Sequence, residues 1–204
     1  MVARVMNNFS LKDLIIVNPR ENWLNDKSIN SAKKANNLIN KVKVYNNLRE
    51  ALKKFKYVVA TTNRKRFINK QSTNNFRNIC QVLKDYRKVG ILFGPENSGL
   101  SNEDLRLADL IFSINTNSSS NSLNLSHAVA IIAQNIYEFG NINFRQIKNN
   151  KNNYVNKEQL SKYFDYLFDN LSNKNFFVPK EKTNSMKNNI CNLYLKSPLT
   201  KKEL

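Results

Sequence analysis

Between residues 1 and 140, short apolar runs alternate with amphipathic or polar stretches, and this alternation is what most restricts the folds open to the chain. Asp13-Leu-Ile-Ile-Val-Asn-Pro19 reads as a buried strand stopped by proline. Residues 28–40 are polar and helical in pattern, and 42–45 form a short strand. Leu48, Ala51, Leu52 and Phe55 fall on one face of an amphipathic helix. Residues 57–62 give the next strand, followed by the basic loop Asn63-Arg64-Lys65-Arg66. A helix is expected over 76–86 and a strand over 90–94 that runs into a Gly/Pro loop. Ser101 fits the N-cap of a further helix. A strand over 109–115, a Ser/Asn loop and an apolar helix over 125–139, ended by Gly140, complete the series. Strands separated by helices predict an α/β domain with a mostly parallel sheet.

After residue 140 the pattern changes. Residues 141–156 are rich in Asn and Lys and read as a linker. The remainder, 157–204, is expected to be a basic helical extension, with Tyr163, Phe164, Leu167, Phe168 and Leu171 as a packing stripe. The chain closes on Thr200-Lys-Lys-Glu203-Leu204, a capping box that opens a helix. At the other end the sequence starts inside an apparent helix over 2–9. Both ends are therefore expected to be cut.

Charge and composition bound the function. The 204 residues carry 33 Lys+Arg against 15 Asp+Glu, a net charge of +18. Such an excess points to nucleic acid or an anionic surface as partner. An AT-rich genome, which favours Lys and Asn codons, is the competing explanation. No apolar run approaches a membrane span, and the first residues lack a signal peptide's apolar core. With two isolated cysteines and one histidine, His127, neither a disulfide framework nor a His/Cys metal site is expected. The expectation is a cytoplasmic, metal-free protein in which His127 packs or hydrogen-bonds within its helix.

Four glycines, at 90, 94, 99 and 140, cannot supply G-x-G-x-x-G. The 94–101 segment has P-loop spacing but places Leu100 where the phosphate-binding lysine belongs, which excludes nucleotide triphosphate hydrolysis of that kind. What remains is three loops following strands, at 61–64, 94–100 and 116–125. Ligands gather at the carboxyl ends of open parallel sheets. Loops rich in Gly, Ser, Thr and Asn let main-chain groups approach a ligand closely. On residues alone this is a small polar ligand site.

Ile91-Leu-Phe-Gly94-Pro-Glu96-Asn-Ser-Gly99-Leu100, followed by Asn121-Ser122-Leu123-Asn124-Leu-Ser-His127-Ala-Val129, resembles the second and third motifs of the SpoU/TrmH-type SPOUT RNA ribose methyltransferases. Residues 9–20 and Val58-Val-Ala-Thr61-Thr62-Asn63-Arg64 are similar to the TrmJ branch, which modifies tRNA. The resemblance implies an α/β, SPOUT-type trefoil-knotted parallel sheet with helices on both faces, and a C-terminal helical extension. It implies S-adenosyl-L-methionine as cofactor, a homodimer that builds the site from two subunits, and tRNA as substrate. Cofactor contacts are implied for Thr61, Thr62, Asn63, Gly94, Glu96, Gly99, Leu100, Ile114, Asn121, Ser122 and Leu123. Catalytic roles are implied for Arg4, Ser122 and Asn124. In the family, the arginine matched by Arg4 lies near the target 2′-hydroxyl. RNA contacts are expected at Arg20, Arg64, Lys65 and Arg66. The family's first motif begins with Asn-x-Gly and follows a strand, and both would lie upstream of Met1. The expected reaction is 2′-O-methylation of a tRNA pyrimidine at position 32. The alternatives are a ribosomal RNA target, or a non-catalytic, truncated RNA-binding relative.

Overall fold

The computed structural model describes residues 1–20, 23, 26–64, 70–117, 122–143, 154–195, 199–200 and 203. Its centre is β3 (Tyr57–Thr61), in which Val58, Val59 and Ala60 have no exposed surface. Consecutive strand residues point to opposite faces, so both faces of β3 must be covered. On one face Val59 packs with Ile79 and Val82 of α5 (Phe76–Asp85) and Ile132 of α7 (Leu125–Asn143). On the other, Val58 and Ala60 pack with Leu52 of α4 (Leu48–Leu52) and Leu105 of α6 (Asn102–Arg106). The expected face of Leu48, Ala51, Leu52 and Phe55 is the one that turns inward.

All described strand pairs are parallel. β4 (Ser72–Thr73), β6 (Leu110–Phe112), β3 and β5 (Val89–Leu92) lie side by side in that order. β1 (Ile15–Val17) and β2 (Lys43–Tyr45) form a second parallel pair. A third cluster joins Ala3 and Met6 of α1 (Val2–Asn8) to Leu38 and Ile39 of α3 (Asn36–Ile39) and to Val129 of α7. Phe93, just after β5, packs against both this cluster and the one on the α5 face. Helix starts follow their caps. Ser101 accepts from Asp104 N–H, and the Asp104 carboxylate accepts from Ser101 N–H in return. Asn47 and Asn75 cap α4 and α5.

Several expectations are corrected. α7 runs through Gly140 to Asn143, because that glycine keeps a helical backbone instead of the left-handed turn that ends a helix. β4 is absent from the sequence reading, since Ser72 and Thr73 carry no apolar alternation. The helix expected over 28–40 divides into α2 (Asp26–Ala32), a 3-10 turn and α3. His127 is exposed near the start of α7 and is not a packing residue. The chain over 154–156 is not a free linker. Tyr154 packs against Tyr86 with tilted rings whose centroids lie 5.3 Å apart, and Val155 is buried. Most of the remaining stretch, 144–153, lies outside the described residues.

The helical extension consists of α8 (Lys157–Asn173), capped by Asn156, and α9 (Thr183–Tyr194). Its stripe packs as expected: Tyr163 and Phe164 meet Tyr194, and the Tyr163 and Tyr194 hydroxyls lie 2.9 Å apart. At the chain's end, Thr200 N–H and hydroxyl both donate to the Glu203 carboxylate at 2.8 Å, one half of a capping box. The extension is fastened to the amino ends of the strands. Lys157 pairs with Asp109 at 2.5 Å, both side chains being nearly buried, and the second Asp109 oxygen accepts from Val58 N–H at 2.7 Å.

Removing one partner of a desolvated pair leaves the other uncompensated. Asp109→Ala is expected to cost about 3 kcal/mol in urea unfolding. A loss below about 0.5 kcal/mol would place the pair in the range of solvent-exposed ion pairs. The stack beside it adds a pH dependence. Burial, then Asp109, pushes Tyr57 from 10.0 up to about 12, and burial, then Tyr154, also raises Tyr86. The fold thus favours the protonated phenols. That contribution is complete below pH 10 and is lost as pH rises through about 12. Absorbance at 295 nm should show part of the eight tyrosines ionising only well above pH 10. All eight titrating together near 10 in folded protein would contradict the stack.

Candidate functional site

Because β5, β3 and β6 are parallel neighbours, their carboxyl ends deliver three loops to one edge of the sheet. Hydrogen bonds tie these loops together. Thr62 N–H donates to the Phe112 carbonyl at 3.1 Å, and the Ser113 hydroxyl donates to the Thr62 carbonyl at 2.7 Å. The Asn63 carboxamide donates to the Thr116 hydroxyl at 2.9 Å. Thr61 donates through its hydroxyl to the Leu92 carbonyl at 2.7 Å. Arg64 reaches across to the Asn97 carbonyl at 3.1 Å. Side chains are used largely to hold the edge together, so the ligand-facing chemistry of these loops is mainly main-chain N–H and C=O.

The 94–100 loop is closed on itself. Gly99 N–H donates to the Pro95 carbonyl at 2.7 Å, and Gly99 has φ +66°. A Cβ on Gly94 would lie 2.2 Å from Leu100 N and 2.3 Å from the Gly99 carbonyl carbon. The resemblance implies a cofactor contact at Gly94; in the structure the space that a side chain there would fill is taken by the returning end of the same loop. Leu100 places its side chain in the core with Leu52, Val58 and Leu105, so what it offers a ligand is main-chain. Glu96 stands exposed at the loop tip, and Ile114 packs at the rim of the α5-face cluster.

The third motif leads into α7. Ser122 is exposed and Leu123 half-buried. The Asn124 carboxamide oxygen accepts from Ser126 N–H at 3.0 Å and Ser126 hydroxyl at 2.8 Å, which caps the helix. Asn121, Lys65 and Arg66 lie outside the described residues. Arg4 is exposed on α1, away from Ala3 and Met6, and Arg20 is exposed after β1. Among the described residues, no hydrogen bond or ion pair joins either arginine to the three loops. The geometry thus gathers Thr61, Thr62, Asn63, Arg64, Gly94, Gly99, Leu100 and Ile114 at one edge, without a described bond from Arg4 or Arg20 to them. Ser113 and Asn97 are not singled out by the sequence reading. The signal for Ser113 is a hydroxyl placed directly after an apolar strand. None exists for Asn97, which contributes only its carbonyl.

Among the described residues, no group of three or more His, Cys, Asp and Glu could hold a metal ion, and no helix is long and apolar enough to cross a membrane. A cavity of about 160 Å³ lies between the sheet and the extension, lined by Tyr57, Tyr86, Asp109 and Tyr154. It sits at the amino ends of the strands, where the ion pair and the tyrosine stack already account for its walls.

Three comparisons bear on what this edge does. The model of the SpoU rRNA Methylase family matches residues 1–134. The tRNA (cytidine-2′-O-)-methyltransferase TrmJ of Methanocaldococcus jannaschii is 31% identical over 190 residues, 89% of this chain and 78% of that protein. The enzyme of the same name from Sulfolobus acidocaldarius is 30% identical, over 91% of this chain and 74% of its own. Among solved structures, TrmJ from Z. mobilis superposes with a TM-score of 0.84 at 29% identity, covering 96% of this chain and 83% of the other.

The loop geometry makes a graded prediction. Gly94→Ala forces backbone apart and is expected to cost about 1–3 kcal/mol in urea unfolding. Gly99→Ala meets nothing nearer than 3.9 Å and should cost about 1–2 kcal/mol for its left-handed backbone. Gly94→Ala as stable as the wild type would show that the loop does not close on itself as described.

Proposed function

We propose that this chain, which belongs to the SpoU rRNA Methylase family and is therefore an RNA methyltransferase, methylates the ribose 2′-hydroxyl of a tRNA nucleotide. The observation that carries this reading is the likeness to TrmJ enzymes over about nine-tenths of the chain, extension included. The cofactor is S-adenosyl-L-methionine, and the three tied loops after β3, β5 and β6 fit it. They present main-chain donors and acceptors at the carboxyl edge of a parallel sheet, where adenosine, ribose and carboxylate groups can be read without a charged side chain. Bound there, it would supply a methyl group on a sulfonium centre, which is already a good leaving group.

The protein's own part is alignment of the ribose oxygen. Arg4 is assigned to the target hydroxyl, where a guanidinium stabilises the developing alkoxide. Arg4 is exposed on α1, which leaves its side chain available to a second copy, and we infer a homodimer in which Arg4 of one subunit serves the other's cofactor. Exposed apolar residues on the two helices concerned, Met1 next to α1 with Ile131 and Tyr137 on α7, support such pairing. Ser122 and Asn124, at the entrance to α7, would shape the same pocket. A trefoil knot and a cytoplasmic location complete the proposal.

The target is a pyrimidine at position 32, at the start of the anticodon loop. A loop nucleotide can be splayed from its stack, whereas duplex ribose is less accessible. The excess of 18 positive charges would neutralise phosphates, so binding should weaken as salt rises. The test is mass spectrometry of nucleosides, for the methylated residue type, and of ribonuclease fragments, for its position, after incubating the protein with methyl-labelled cofactor and either tRNA or rRNA. The expected result is a labelled 2′-O-methylpyrimidine at tRNA position 32. Label in rRNA alone would overturn the tRNA assignment. Cofactor binding with no transfer to either RNA would favour a non-catalytic RNA-binding role.

A further inference from the structure

The charge of Arg64 suggests a phosphate contact, but its geometry shows another use. The guanidinium donates to the Asn97 carbonyl at 3.1 Å, while Arg64's own N–H donates to the Thr62 hydroxyl at 3.2 Å. The β3 loop thereby fixes the arginine's backbone, and the side chain spans to the tip of the 94–100 loop. That tip needs an outside hold. Its base is locked by the packing at Gly94 and by the Gly99–Pro95 hydrogen bond. Residues 96–98 form a turn, are exposed and carry no apolar anchor. A Cβ on Gly99 would come to 3.9 Å from Arg64 Nε, so the guanidinium lies along the loop and does not merely touch its edge.

We infer that Arg64 is a positioning residue that clamps the tip of the 94–100 loop against the β3 loop and so presets the cofactor cradle before RNA arrives. The inference rests on the proposed function for the identity of the ligand, but not for the clamp itself. A guanidinium suits the task because it is always charged, is planar and has five donors. A hydrogen bond from a charged donor at an exposed site is worth a few-fold in an equilibrium, enough to bias a loop without fixing it.

The experiment compares wild type, Arg64→Ala and Arg64→Lys. Arg64 is exposed, so no variant threatens the core. Amide hydrogen exchange without ligand should show 96–99 exchanging about 3–10-fold faster in Arg64→Ala. Calorimetry with S-adenosylmethionine, without RNA, should show a similar weakening. Arg64→Lys, which keeps a charged donor able to reach a carbonyl, should restore part of both. In steady state, the rise in KM for the cofactor should exceed any change in kcat. Unchanged exchange and cofactor affinity in Arg64→Ala, with weaker tRNA binding and a shallower salt dependence, would overturn the clamp and leave Arg64 a phosphate contact. If wild type itself fails to bind S-adenosylmethionine, the cofactor reading falls. The exchange measurement then decides the clamp alone: faster exchange supports it, and equal exchange defeats it.

Discussion

The burial of β3 on both faces is the constraint on which the rest depends. Val58, Val59 and Ala60 lose all solvent contact, and that demands helices above and below. Helical crossovers in turn make the neighbouring strands parallel. Once β5, β3 and β6 run the same way, their ends fall on one edge and their loops cannot avoid one another. The site is thus a consequence of the core. A charged substitution in the middle of β3 would remove the edge together with the sheet.

The edge uses its residues sparingly. Thr61, Asn63 and Ser113 spend their side chains on neighbouring loops. Gly94 yields its space to Leu100, which anchors the loop in the core through its own side chain. Main-chain groups are then what this edge leaves for the proposed cofactor, held by a frame of side-chain hydrogen bonds. At the opposite edge, Asp109 and Lys157 join the extension to the sheet. The extension is therefore held at the end of the sheet away from the loops.

The alternation of apolar runs and amphipathic stretches made the sheet and its two helical layers readable, because β3 and the inward face of α4 carry strong patterns. Caps are legible too: Ser101 stands three residues before Asp104, and its hydroxyl accepts from the Asp104 N–H. β4 was not, since a two-residue polar strand is defined by its partner β6 alone. Gly140 misled because a glycine marks a helix end only when it turns left-handed, which sequence does not reveal. At the site, the motifs located the loops but not the bonds between them. The Arg64 side chain meets a carbonyl 33 residues away, and a carbonyl has no letter in the sequence. Gly94 is legible as a special position, and the atoms that require a glycine there belong to the loop itself.

The central claim is that the three tied loops, and not the cavity beneath the sheet, receive S-adenosylmethionine. Backbone amide chemical shifts recorded while the cofactor is titrated in test it directly. The account predicts perturbations concentrated at 61–64, 94–100 and 113–117, with the amino ends of β3 and β6 unmoved. Perturbations centred on Tyr57, Tyr86 and Tyr154, with the loops silent, would contradict it.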